Sequence, residues 1–266
     1  MVADYHIHTA LCGHADGEPR EYVERAIGLG MTEIGFADHL PLSMHEQPGY
    51  AMRREDVGEY VATVQALARE YAPQIRILLG AEVDYFEQSV ETDAALLAEY
   101  PFDYAIGSVH FVGDGFSFDH PRNARRFGRY GVDNVYLASY ELAAKAAWTG
   151  LFDIIGHLDL AKKHGHRPDD AGRVSAAASA ALTAIRAAGV AIELNTAGWR
   201  KPVGEAYPAP GLLAEAAALG IPLAFGSDAH HPDDVGSDFA RAEALARAAG
   251  YATALHLSSG AVKALP

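Results

Sequence analysis

Histidines and acids recur along this chain at the ends of short apolar runs, and their types are those that bind metal ions. The first set is His6-Ile7-His8 and the last Asp228-Ala229-His230. Between them stand Asp38-His39, Glu82, His110 and His157, each just after a run such as EIGFAD, RILLGAE, YAIGSV or FDIIG. Residues two apart in a strand face the same side, about 7 Å apart at Cα, so His6 and His8 can turn inward together and chelate one ion. His14 follows in LCGH, where Cys12-Gly13 permits a tight return over the strand end. Glu82 sits inside an apolar strand sequence, LLGAEVDY, and a buried carboxylate needs a metal or charge partner. Asp84 shares its face and is a weaker candidate. Taken singly, each residue has an ordinary reading as a core histidine, a helix cap or a solvated loop group. Asp38-His39 is a poor cap, because no helical pattern starts before about Arg54. Nine residues at six strand exits and one adjoining loop point together to a pocket that holds several ions.

Such spacing requires strands whose C-terminal ends meet. Strand-like segments run over Ala3 to His8, Glu33 to Asp38, Ile75 to Val83, Tyr104 to His110, Asp153 to His157, Val190 to Asn195 and Pro222 to Ser227. Helical patterns follow at Pro19 to Leu29, Arg54 to Tyr71, Ser89 to Glu99, Asn134 to Thr149, Arg173 to Ala188, Pro210 to Leu219 and Val235 to Ala249. Pro19 stands at a first turn, and Gly30, Gly150, Gly189, Gly220 and Gly250 stand at helix ends, as the asymmetry of helix termini favours. Strict alternation implies parallel strands joined by helical crossovers. Seven units predict an α/β fold, a distorted, TIM-like (β/α)7 barrel with the metal site at the C-terminal ends of its strands. An open doubly wound sheet alternates in the same way, but it gathers functional residues at one switch point, and no GxGxxG or GxxxxGK[ST] run is present. The tail Ala252 to Ser259 reads equally as an eighth strand or a terminal extension.

The 266 residues, half of them apolar, suit one large domain or two small ones; no composition break marks a boundary, and residues 1–266 are expected to form a single barrel domain. No basic start with a long apolar core precedes the first strand, and no run approaches the roughly 18 apolar residues of a membrane span. A lone cysteine, Cys12, excludes an internal disulfide and fits a reducing cytoplasm. A net charge of -14, with basic residues only in small groups such as Arg122, Arg125, Arg126 and Arg129, argues against long nucleic acid as a partner. Bound cations would still let an acidic shell attract a small anion. The sequence leaves a homo-oligomer open. His45, His120, His164, His166 and His256 read as solvated and His231 as a support to the site. Trp148 is expected in outer-layer packing and Trp199 in a site loop.

The ordered motifs HIHT, HTALCGH, ADH, GAEVDY, GSVHF, GHLDL, ELNTAGWRK and GSDAH resemble the polymerase-and-histidinol-phosphatase (PHP) superfamily of metal-dependent phosphoesterases, over nearly the whole chain. GSVHF, GHLDLAKK and ELNTAGWRKPVGEAYP are similar further to the monofunctional histidinol-phosphate phosphatases. The resemblance implies three divalent or mixed-valence ions. One takes His6, His8, Glu82 and Asp228; a second takes Glu82, His110 and His157, with Glu82 bridging; a third takes His14, His39 and His230. His and carboxylate ligands suit Zn, Mn or Fe. Asp38 falls outside that set and reads as orienting His39 or a neighbour. Asp228, Glu82, His230 and Arg200 are the expected catalytic group. Arg200 would grip phosphate bidentately and Lys162 or Lys163 would reach it as point charges, while Asn195 fixes the Arg200 loop. Tyr85, Phe111 and Phe118 are candidates to line the pocket for an imidazole. The implied reaction is hydrolysis of L-histidinol phosphate, a small phosphomonoester, in histidine biosynthesis. Two readings compete with it: a PHP phosphoesterase acting on nucleotides, nucleic-acid ends or other phosphomonoesters, and a non-catalytic metal-binding protein.

Overall fold

The computed structural model describes residues 2–43 and 49–265, less the side chains of residues 261 and 262. In chain order the strands are β1 (Asp4–Ile7), β2 (Glu33–His39), β3 (Arg76–Asp84), β4 (Tyr104–Ser108), β5 (Phe111–Val112), β6 (Phe116–Ser117), β7 (Ile154–Ile155), β8 (Ala191–Asn195), β9 (Leu223–Gly226), β10 (Thr253–His256) and β11 (Ala261–Ala264). The helices are α1 (Pro19–Gly28), α2 (Val57–Tyr71), α3 (Val90–Glu99), α4 (Phe127–Tyr130), α5 (Val132–Ala147), α6 (Ala171–Ala188), α7 (Pro210–Ala218) and α8 (Phe239–Ala249). Seven strands pair in the order β1-β2-β3-β4-β7-β8-β9, all in parallel. The two ends approach through a bridge between Ile7 and Ala229, with His8 N donating to Ala229 O at 3.0 Å and Ala229 N to His6 O at 3.1 Å. The result is a nearly closed, distorted (β/α)7 barrel of the TIM type. Among the described residues, no helix is long and apolar enough to cross a membrane.

Every second residue of these strands faces inward. Ala37, Leu78, Tyr104, Ile106, Ile154, Ala191 and Ala224 form an inner apolar cluster with Ala3 and Tyr5, whereas Ile34, Phe36, Leu79, Ile192, Leu194 and Phe225 pack outward against the helices. Tyr104 plugs the barrel, donating to Tyr5 O at 2.7 Å. Its side chain leaves no space for side chains at two facing positions, since a Cβ on Gly35 would lie 2.2 Å from the hydroxyl and one on Gly80 2.2 Å from the ring. Continuing the same alternation upward places His39, Glu82, Ser108 and His110, Glu193 and Asn195, and Asp228 at the rim. In β1, Tyr5 belongs to the inner cluster while its neighbour His6 belongs to the rim. The register shift between Asp4 and Ile7 supplies the bulge that lets consecutive residues share a face.

The differences from the sequence reading are local. Ala252 to Ser259 adds no eighth strand to the barrel: β10 turns back antiparallel on β11, and Leu255 and Leu257 pack against the inner cluster, so the hairpin seals the end opposite the rim. Leu257 N donates to the Tyr5 hydroxyl, which itself donates to Glu33 Oε1 at 2.5 Å. The last helix begins at Phe239, not Val235, because a 3-10 turn at Pro232–Asp234 and left-handed backbone at Gly236 and Asp238 intervene. Trp148 is 63% exposed and so packs little. The small hairpin β5–β6 and the segment Pro121–Tyr130 form an unanticipated excursion between β4 and α5.

Candidate metal centre and active site

Glu82 stands at the middle of the rim, 1% exposed, with its two oxygens facing different partners. Oε2 lies 3.3 Å from His6 Nε2, 3.7 Å from His8 Nε2 and 2.9 Å from His39 Nδ1. Oε1 lies 3.1 Å from His157 Nε2 and 3.7 Å from His110 Nε2, and accepts from Ser108 Oγ at 2.6 Å. Asp228 Oδ1 is 3.3 Å from His8 Nε2. Above them His14 Nε2 and His230 Nε2 come within 2.9 Å of each other, and His230 stacks on His8 with centroids 4.0 Å apart. All nine expected donors therefore meet at one place. Eight of them fall into groups compact enough to share an ion, one of which also takes in Cys12: His6, His8 and Asp228; His6, Glu82 and His157; His8, His39 and His230; Cys12, His14 and His230.

The atoms facing inward in this cluster lack ordinary partners. His6 Nε2, His8 Nε2, His39 Nδ1 and Glu82 Oε2 are buried without a hydrogen bond, a costly condition unless a cation completes them. On His6, His8 and His110 the opposite ring nitrogen is tied down by a carboxylate. His6 Nδ1 is 2.6 Å from Glu193 Oε1, His110 Nδ1 is 2.8 Å from Asp84 Oδ1, and His8 Nδ1 is 3.3 Å from Asp38 Oδ1. An Nδ1–H donated to the acid leaves the Nε2 lone pair aimed at the cluster, the arrangement that makes a histidine a metal ligand. Asp38 also accepts from His39 N at 2.8 Å and from the Thr9 hydroxyl and amide. Its role is thus to aim His8 and hold the strand ends.

Charge in the site is unbalanced in the sense a cation corrects. Burial would push the Glu82 carboxyl up, but His39, His6 and His110 hold it well below the usual carboxylate range; Asp228 is held down likewise by His6 and His8 against its burial. Burial opposes protonation of His6, yet Glu193, Glu82 and Asp228 raise it well above an ordinary histidine. His14 at the rim is drawn down to about 4 by desolvation and by His39 and His8. Buried carboxylates thus call for positive charge at the centre, while the histidine rings oppose one another's protonation at His14 and His230. Divalent ions fit both this demand and the donor set.

The cluster opens into a cavity of about 450 Å³ whose wall includes Tyr50, Asp119, Lys163, His164, Lys201 and Tyr207. Lys163 Nζ lies 3.2 Å from Asp119 Oδ2, and Lys163 and His110 hold that carboxyl below its ordinary value against burial. At the mouth, desolvation and the neighbouring Lys163 and Arg200 lower the Lys201 ammonium pKa. Lys162 does not line the cavity. It is buried, with Nζ 2.8 Å from Asp159 Oδ2, 2.7 Å from Ala206 O and 3.3 Å from Glu205 Oε2, so all three of its donors are committed to holding loops together. Arg200 is also absent from the wall: Nη2 donates to Ser227 O at 2.7 Å and Nε lies 3.3 Å from Asp234 Oδ1, while Nη1 is buried and unpartnered. Asn195 does fix the start of the Arg200 loop, accepting from Ala197 N at 2.9 Å, and donates to Asp228 Oδ2 at 3.2 Å.

Other expectations shift. Tyr85, Phe111 and Phe118 do not line this cavity; Phe111 packs on Tyr50 from behind, centroids 5.2 Å apart, and Phe118 on Phe127. His120 and His164 do line it, and His164 Nε2 donates to Asp119 O at 2.9 Å. His166 stacks on Phe127 and His256 pairs with Glu33, so neither is simply solvated. His231 only caps the Pro232 turn, and His45 lies outside the described residues. Trp199 lies beneath the Arg241 guanidinium, 4.2 Å from its ring centroid. The sequence pattern does not single out Glu193, Tyr50, Asp119 or Lys201. Only Glu193 carried a signal, a carboxylate in the apolar strand AIELN like that of Glu82 in its own strand.

The PHP domain profile matches residues 4–197. The chain belongs to the PHP domain family. It is 42% identical over 241 residues, 91% of each chain, to the Deinococcus radiodurans protein named "Probable histidinol-phosphatase". It is 30% identical to the histidinol-phosphatase of Bacillus subtilis, covering 88% of this chain and 95% of that one. Among solved structures, the histidinol phosphate phosphatase of Lactococcus lactis, crystallised with Zn, L-histidinol and phosphate, shares the fold at a TM-score of 0.78, with 21% identity and 98% of both chains covered.

Proposed function

We propose that this protein is a metal-dependent phosphomonoesterase that hydrolyses L-histidinol phosphate to L-histidinol and inorganic phosphate, a histidinol-phosphatase. The observation that carries the reading is the ring of donors about Glu82, opening into a small-molecule cavity with lysines on its wall. The names of the relatives, and the ligands of the Lactococcus lactis protein, point to the same substrate. Three ions are proposed, held by His6, His8, Glu82 and Asp228, by Glu82, His110 and His157, and by His14, His39 and His230, with Zn, Mn and Fe all compatible with these ligands. When bound, such ions act as Lewis acids that acidify water and draw charge from phosphoryl oxygens.

The chain's own groups do the rest. Asp38, Asp84 and Glu193 fix the histidine tautomers, so the donors need no rearrangement. Lys163 and Lys201 offer positive charge to a phosphate dianion entering from the mouth, and the approach of that dianion favours the charged form of Lys201. Arg200 stands behind the wall and braces the strand end that carries Asp228 through its bond to Ser227 O. Tyr50, Leu160, Ala197 and Tyr207 enclose the organic part of the substrate, displacing water from the scissile bond.

Phosphate release from histidinol phosphate, nucleoside monophosphates and an aryl phosphate, measured with metal content, tests the proposal. Histidinol phosphate should have the highest kcat/KM, and Glu82→Ala should lose metal and activity together. Equal turnover of nucleotides, or wild-type turnover in the Glu82 variant, would overturn it.

A further inference from the structure

We propose that Asp119 sets the specificity of the cavity by receiving the ammonium group of an amino-alcohol phosphate, so that the pocket selects phosphomonoesters bearing a cation beside the ester. The inference deepens the phosphatase reading above and rests on it.

Asp119 is the odd residue of the wall. Apart from the donors Glu82 and Asp228, it is the one acid lining the cavity among the described residues, and a carboxylate there repels the phosphate that Lys163 and Lys201 would attract. Its burial makes the choice costly, since 7% exposure leaves it little water. Lys163 meets only Oδ2, at 3.2 Å, while Oδ1 accepts from the Ser117 hydroxyl at 3.0 Å. A carboxylate has about four acceptor positions, so room for another donor remains.

Position agrees with this chemistry. Phe118 N donates to His110 O at 3.1 Å, which fixes Asp119 one residue further on, beside a donor of the metal centre. In an amino-alcohol phosphate three atoms separate nitrogen from phosphorus, roughly 4–5 Å at ordinary bond lengths. An acid that reads that nitrogen must therefore stand next to the phosphate site rather than at the cavity mouth. Tyr50 adds an independent observation. Its ring packs on His39 and His110, and its hydroxyl is buried with no partner, a polar group waiting for a ligand in the same part of the cavity.

The alternative is that Asp119 only positions Lys163, and a pair of substrates separates the two roles. kcat/KM is measured for L-histidinol phosphate and for its des-amino analogue, 3-(imidazolyl)propyl phosphate, with wild type, Asp119→Asn and Ser117→Ala, all as metal-loaded enzymes. The wild type should prefer the aminated substrate, and Asp119→Asn should cut that preference about 10- to 100-fold, the range for a hydrogen bond to a charged group. Ser117→Ala, which releases the carboxylate without removing it, should cut it less, and it keeps the test available should the Asn variant fail to fold. Equal losses on both substrates would show that Asp119 serves Lys163 alone and overturn the inference. A wild type that hydrolyses phosphomonoesters without preferring the aminated one would also overturn it while leaving the phosphatase reading standing; no turnover of either substrate would sink that reading itself.

Discussion

Replacing Glu193 with Gln probes the site through a residue that contributes no atom to the donor ring. Glu193 is buried, and its two oxygens serve opposite neighbours: Oε1 faces His6 Nδ1 at 2.6 Å, and Oε2 accepts from His157 N at 2.8 Å and from Asn195 Nδ2 at 3.1 Å. A glutamine has one oxygen. If that oxygen keeps the two donors of Oε2, the amide NH2 faces His6 Nδ1, which must then accept and carry its proton on Nε2. That is the nitrogen pointing at Glu82 and Asp228, and a protonated nitrogen cannot ligate. If the amide flips, two donors lose their acceptor inside the protein. A charge-assisted bond of this kind is worth about 1.5–3 kcal/mol, and loss of the partner behind a ligating histidine typically weakens metal affinity 10- to 100-fold. The expected result is a drop of about that size in affinity of the His6 ion, measured by competition with a chromogenic chelator, with a matching fall in phosphate release at limiting metal. Circular dichroism should remain that of the wild type. Metal affinity within about twofold of wild type, less than the 10-fold lower bound, would refute the claim that Glu193 sets the His6 tautomer.

Lys162→Met should leave Asp159 buried and short of a partner, costing about 3–5 kcal/mol by urea denaturation, while kcat/KM of the folded variant stays close to wild type; a large kinetic loss at unchanged stability would restore Lys162 to the substrate. Gly226→Ala would place a Cβ 1.9 Å from Glu193 Oε1 and 2.7 Å from His6 Cβ, and should cost about 1–3 kcal/mol together with metal content, both readable by thermal melts and elemental analysis; a normally metallated variant would contradict the packing. Arg200 braces Ser227 O and Asp234 behind the cavity wall, so Arg200→Ala should lower stability by about 1.5–3 kcal/mol in urea denaturation with metal content retained, and a tenfold or greater fall in kcat/KM at unchanged stability would return Arg200 to the phosphate.

Much of this site is written locally. A strand imposes a period of two, so His6 with His8, Glu82 with Asp84, and the polar residues ending each apolar run are legible without knowing which strands pair, and repetition of the pattern implies a barrel with one active rim. The residues that escaped are those whose meaning lies in a distant partner. Glu193 acquires its role from His6, 187 positions away in sequence; Asp119 becomes a wall residue only because the β5–β6 excursion folds back over His110, and Lys201 only because the loop after β8 carries it to the same mouth. Lys162 and Lys163 are adjacent and alike in type, yet one is sealed against Asp159 and Ala206 O while its neighbour faces the cavity. Sequence determined the donors and the strand ends that carry them, because both follow from short-range geometry. Tertiary structure alone decided which charges remain available, because burial and the competition among partners for each hydrogen bond exist only once the barrel has closed.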